Sequence, residues 1–129
     1  MHWSKSYETG IKKIDEEHQM LIQLINELED AMTSGKSKQT MGQVLKNLVE
    51  YVKCHFKDEE KVMEKIGYDE LERHKVLHKD LVNQVAGILI DLKNGKVWTP
   101  QELIGFLQNW VLCHILEEDL KIGRFLGVI

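Results

Sequence analysis

Five of the six histidines in this chain stand at spacings that suit metal ligation. His55 is followed four residues later by Glu59, His74 by His78 at the same interval, and His114 five residues later by Asp119. His18 lies among Ile14, Leu21, Ile22 and Ile25. Residues four apart on a helix share one face, one turn above the other. A lone histidine on an apolar face is ordinarily a hydrogen-bonded core residue, and a single His/Glu or His/His pair carries little weight. The full set is different. Buried without a cation, these imidazoles and carboxylates would strand polar groups at a cost on the order of 1–3 kcal/mol each. A cation of high charge removes that cost and holds its ligands deprotonated.

The donor set narrows the metal. Seven protein donors exceed the roughly four that zinc prefers, and the HExxH signature of zinc proteases is absent. Nitrogen-plus-carboxylate ligation suits iron or manganese in near-octahedral geometry. Two irons offer about twelve coordination positions between them. The histidines fill five, two bridging carboxylates fill four, and an oxo or hydroxo bridge fills two. One position is left, which fits a small diatomic ligand. Asp119 is the difficult member. Five residues of α-helix turn by roughly 500°, about 140° off the face of His114. Asp119 reaches the same metals only if the helix ends or is distorted there, as by a π-bulge. Otherwise it is a solvated acid beside Glu117 and Glu118.

The elements that must carry these residues are helical. Apolar residues recur with helical period over about 15–33, 38–66, 69–94 and 99–116, with stops at Ser34-Gly35, Gly67 and Asn94-Gly95. Thr99-Pro100-Gln101-Glu102 sets an N-cap, a first-turn proline and the glutamate of a capping box in order. No alternating strand pattern appears. Short connections force antiparallel neighbours, so the expected fold is all-α, an up-down-up-down four-helix bundle. An ordered N-terminal arm is expected over about 1–13, with Trp3, Tyr7 and Ile11 spaced to pack. Residues 117–129 follow the last helix.

A chain of 129 residues is the size of one domain. Its net charge of −4, with both signs interleaved and no Lys/Arg cluster, excludes a nucleic-acid footprint. No apolar run reaches the roughly 20 residues of a membrane span. The first residues lack a signal peptide's design, which points to the cytoplasm. Cys54 and Cys113 have no partner at metal-site spacing and read as buried, inert thiols turned roughly 100° away from the histidines that follow them. His2 reads as a solvated end residue.

At these residues the chain resembles the hemerythrins, of the bacterial single-domain type. The N-terminal arm reads W-x3-Y-x2-G-I-x2-I-D-x2-H from Trp3 to His18, and the centre reads H-F-x2-E-E-x2-M-x3-G-Y from His55 to Tyr68. H-x3-H follows at His74 and His78, and W-x3-H-I-x3-D runs from Trp110 to Asp119. The resemblance covers nearly the whole chain. It implies a non-haem di-iron centre, oxo- or hydroxo-bridged, with His74, His78 and His114 on one iron and His18 and His55 on the other. Glu59 and Asp119 would bridge, and the iron held by His18 and His55 would take O2. Leu21, Phe56, Trp110 and Val111 stand where the family's apolar O2 pocket lies; plain core packing accounts for each of them equally well. Where relatives often carry proline after Gly-Tyr, this chain has Asp69, expected to cap the third helix.

The expected function is reversible O2 binding for storage, delivery or buffering, by a monomer, with NO or small anions as further ligands. The alternatives are an O2, NO or redox sensing module and a di-iron peroxidase or oxidase. No acid–base pair beyond the ligands points to a substrate reaction. The neutral nitrogens supply less negative charge than the Glu-rich di-iron pattern, which favours the ferrous state.

Overall fold

The computed structural model describes residues 1–35 and 38–129. Its long elements are α1 (Lys12–Thr33), α2 (Lys38–Ile66), α3 (Leu71–Lys93) and α4 (Pro100–His114). A π-helical segment, Ile115–Asp119, joins α4 to a short α5 (Leu120–Leu126). No strand occurs among the described residues. α1 packs on α2 and α4, and α2 on α3. The result is the antiparallel four-helix bundle expected from the sequence, preceded by an arm with one 3-10 turn at Lys5–Tyr7.

The core runs down the bundle axis. Ile25 and Leu28 of α1, Leu45 and Leu48 of α2, Val85 of α3 and Leu107 of α4 have no solvent exposure. Each such leucine or isoleucine contributes about 2–5 kcal/mol against truncation to alanine. A smaller cluster of Met63, Tyr68 and Ile122, with Ile11, Ile66 and Leu71 against it, closes the end near the arm. The arm itself is anchored: Trp3 meets Tyr7 edge-on at 5.6 Å, Tyr7 packs on the main core, and Asn26 donates to the Met1 carbonyl.

Two helix starts differ from the sequence reading. α1 begins at Lys12, ahead of Asp15. Asp15 sits inside the first turn and reaches back, its carboxylate accepting from Thr9 N (2.8 Å), Thr9 Oγ1 (2.9 Å) and Gly10 N (3.2 Å). It caps the loop that leads into the helix. Asp69 does not cap α3. That helix starts at Leu71, its N-cap is Glu70, and no side chain closes the turn. The Tyr68 N–H bonds the Met63 carbonyl at 2.9 Å and its ring is buried on Met63 and Ile122, so the chain is pinned at Tyr68 and the helix restarts beyond Asp69. The α4 start follows expectation, with Thr99 Oγ1 accepting from Glu102 N at 3.1 Å.

The helical path continues beyond 116, through the π-segment to Leu126, where Gly127 takes φ 80° and ends it. This end is locked to the arm at Gly123, where the backbone lies against the Thr9 carbonyl so closely that no Cβ fits. Cys54 and Cys113, expected to be buried, are exposed. The one-residue rotation that turns them from the inward histidines carries them to the outer face. No helix among the described residues is long and apolar enough to cross a membrane.

Candidate metal centre

Four helices and the π-segment bring all seven predicted donors to one place. His18 comes from α1, His55 and Glu59 from α2, His74 and His78 from α3, His114 from the end of α4, and Asp119 from the last π residue. None is more than 8% exposed. The π-segment solves the spacing problem at Asp119. The Leu120 N–H reaches back to the Ile115 carbonyl, and in such a turn residues five apart are neighbours on one face.

The donor atoms form two groups, each with its members within 4.8 Å of one another: Glu59, His74, His78, His114 and Asp119, and His18, His55, Glu59 and Asp119. The carboxylates belong to both because their oxygens divide. Glu59 Oε1 lies 2.9 Å from Nε2 of His74 and of His78 and 3.7 Å from His114 Nε2. Glu59 Oε2 faces Nε2 of His55 at 3.3 Å and of His18 at 3.5 Å. Asp119 repeats the pattern: Oδ1 is 3.1 Å from His74 Nε2 and 2.9 Å from His114 Nε2, while Oδ2 is 2.9 Å from His18 Nε2.

The Nε2 atoms of His74 and His78 are hydrogen-bonded to Glu59 Oε1, but most of the other close contacts are not pairs. Nε2 of His18, His55 and His114, Oε2 of Glu59 and both oxygens of Asp119 are buried without an aligned hydrogen bond. Lone pairs converge on shared points rather than on one another's protons, which is what a cation requires. Without a cation, protons do its work. Burial alone pushes His55 and His74 down, but carboxylates (Glu17 and Glu59 for His55, Asp119 and Glu59 for His74) outweigh it and leave both at about 9. Burial likewise opposes charge on His114, where Asp119 and Glu59 carry it to about 10. Burial would raise Glu59 and Asp119, yet the surrounding imidazoles hold both well below the usual carboxylate range.

Beyond the Nε2 atoms, the structure shows contacts that sequence reasoning missed. His55 Nδ1 is 2.8 Å from Glu17 Oε1, and His78 Nδ1 is 2.7 Å from Glu60 Oε2. The only sequence signal was position: a glutamate one residue from an inward-facing donor lies at the seam with the next helix. Leu21, Phe56, Trp110 and Val111, the expected pocket residues, line one small cavity of about 10 Å³ with His18, His55, His114 and Ile115. That volume is near the lower limit for a water-sized guest. Ile115 was not anticipated. Phe56 lies flat on His78, centroids 3.9 Å apart and planes 2° apart. Trp110 and His114 also border an outer groove of about 280 Å³ between α3 and α4, so the indole stands between the cavity and the surface.

A bundle whose facing helices share two carboxylates between two histidine groups is a non-haem dinuclear metal protein in its architecture. The hemerythrin HHE cation binding domain matches residues 9–126. A bacteriohemerythrin of Pseudomonas aeruginosa is 33% identical over 117 residues, covering 91% of this chain and 75% of its own. A bacteriohemerythrin of Methylococcus capsulatus is 30% identical over 128 residues, covering 98% of this chain and 97% of its own. A myohemerythrin of Theromyzon tessulatum is 30% identical over 119 residues, covering 92% and 88%. The crystal structure of a wild-type hemerythrin superposes with a TM-score of 0.87 at 30% identity, over 96% of this chain and 95% of that one. The chain belongs to the hemerythrin family, whose members bind O2 at a non-haem di-iron centre.

Proposed function

We propose that this chain is a reversible O2 carrier or buffer in which His74, His78 and His114 hold one iron, His18 and His55 the other, and Glu59 and Asp119 bridge them. One observation carries the assignment: both carboxylates direct one oxygen to the three-histidine group and the other to the two-histidine group. When bound, the irons supply the reducing electrons and the coordination position that O2 requires. The protein's own residues do the rest. Glu17 and Glu60 accept hydrogen bonds from the Nδ1–H groups of His55 and His78, which fixes the tautomer and leaves Nε2 to ligate. Leu21, Phe56, Trp110 and Val111 form the O2 pocket and keep bulk water from the site.

Carriage is favoured over catalysis because the cavity's only titratable lining residues are His18, His55 and His114, all donors already assigned. No separate acid–base pair faces it to work on a substrate. The chain acts as one domain, residues 1–129, monomeric and cytoplasmic, with NO and small anions as competing ligands. The test is metal content and spectrum on one anaerobic sample. Two irons per chain and visible charge-transfer bands that rise with O2 and fall under vacuum are expected. A single zinc, or oxidation complete within the mixing time, refutes the reading.

A further inference from the structure

The five site imidazoles are not equivalent on their outer edges. His18 Nδ1 and His74 Nδ1 are buried with no hydrogen-bond partner. His114 borders the α3–α4 groove. Among the described residues, His55 and His78 are the two of these rings whose Nδ1 meets a carboxylate, Glu17 at 2.8 Å and Glu60 at 2.7 Å. Each of the two donor groups thus contains one carboxylate-engaged imidazole.

The Glu17 contact is the better built. Glu17 sits on α1 and His55 on α2, and Tyr51 braces both. The Tyr51 hydroxyl donates to the Glu17 carbonyl at 3.0 Å. The Tyr51 ring lies parallel to that of His55, planes 4° apart and centroids 6.4 Å apart. The Glu17 side chain is 18% exposed against 26% for Glu60. Phe56 lies closer on the His78 ring than Tyr51 does on His55, but among the described residues no hydroxyl ties the backbone at Glu60 as Tyr51 ties it at Glu17.

A carboxylate that accepts the outer N–H of a ligating histidine makes the ring a stronger donor. A stronger donor favours ferric over ferrous iron. The effect is diluted by the number of imidazoles on the same ion. Glu17 acts on one of two, and Glu60 on one of three. We propose that Glu17 is a positioning residue that, through His55, sets the ferrous–ferric balance of the two-histidine iron and so how firmly that iron retains O2. The inference rests on the di-iron reading above, and the test separates the two.

Glu17→Gln keeps an oxygen to accept the N–H and removes the charge. Three measurements on the iron-loaded protein and the same variants without iron decide the matter: the midpoint potential under argon, retention of cobalt(II) against a chelator, and the thermal melt. The expected result for Glu17→Gln is about a tenfold loss of ferric preference, ~59 mV upward per electron. Cobalt retention should weaken by about tenfold, the low end of what such outer contacts are worth, with the melt unchanged. Glu60→Gln should move the potential less. Tyr51→Phe should fall between wild type and Glu17→Gln. A Glu17→Gln potential and cobalt retention equal to wild type overturns the proposal, as does a Glu60→Gln shift of the same size. If Glu17→Gln lowers the melt, Glu17→Asp, which keeps the charge but withdraws it, must still shift the potential upward; failure to do so also overturns it. Wild type that holds cobalt but never two irons would refute the di-iron reading instead, and the cobalt comparison would still decide the role of Glu17.

Discussion

The same substitution should have opposite signs at two glycines of this bundle. Gly123 is buried in α5, and a Cβ built there would lie 2.9 Å from the Thr9 carbonyl carbon and nearer still to its oxygen. Thr9 itself has no exposure and is held by Asp15 through both its N–H and its hydroxyl. The obstacle is backbone and cannot rotate aside. Gly123→Ala should therefore cost about 1–3 kcal/mol, the range for forcing a methyl into a filled site. Gly105 lies on the exposed face of α4 with nothing within 4 Å of its would-be Cβ. There, Ala should stabilise by about 0.8–1 kcal/mol through helix propensity. The two variants should differ by about 3 kcal/mol. With an unfolding entropy of about 2.1 cal/mol/K per residue over 129 residues, that is about 10 °C in melting temperature. Metal-free protein should be melted by circular dichroism, because bound metal would mask the difference. Asp119 lies one turn before Gly123, so Gly123→Ala should also weaken metal retention while Gly105→Ala leaves it intact. Equal melting temperatures would refute the claim that α5 is locked to the arm by a contact only glycine permits.

The metal-free protein should be most stable near pH 5 to 6.5. Imidazoles at about 9 and 10 in the fold against 6.5 unfolded give full stabilisation below about 6.5, lost as pH rises through 9 to 10. Glu59 and Asp119 are lowered, so theirs is present above the ordinary carboxylate range and lost on acidification. Chelated protein melted across pH 5 to 10 should fall steadily on the alkaline side and metal-loaded protein should not; a flat metal-free profile would contradict the charge assignment. Trp110→Phe should thin the partition between cavity and groove, change stability by about 1 kcal/mol or less because the lost indole N–H has no partner, and speed autoxidation several-fold. An unchanged autoxidation rate would remove Trp110 from that role.

What could be read from the sequence, and what could not, follows from helix geometry. The inward donors were legible because a 3.6-residue period fixes which side chains share a face. The π-segment was legible for the opposite reason: the His114-to-Asp119 interval breaks that period, and a five-residue turn repairs it. The helix starts at Lys12 and Leu71 differ from the expected 15 and 69 because an aspartate near a first turn can bond the backbone before it or after it, and only the fold shows which. Glu17, Glu60 and Gly123 were beyond reach. Their partners lie on other helices or in the arm, and such contacts depend on how far each helix slides and rotates against its neighbour. The cysteines lie on the outer face because direction, one residue's rotation from an inward histidine, outweighs the tendency of the residue type to be buried.

The division of each carboxylate between the two histidine groups has a consequence for assembly. An ion settling into either group must immobilise both acids at once, and their remaining oxygens are then already aimed at the opposite cradle. The ordering entropy of these side chains falls on the first arrival, and the second finds its seat prepared. Half-filled molecules should accordingly be scarce, and the chain should pass from empty to complete almost as a single event.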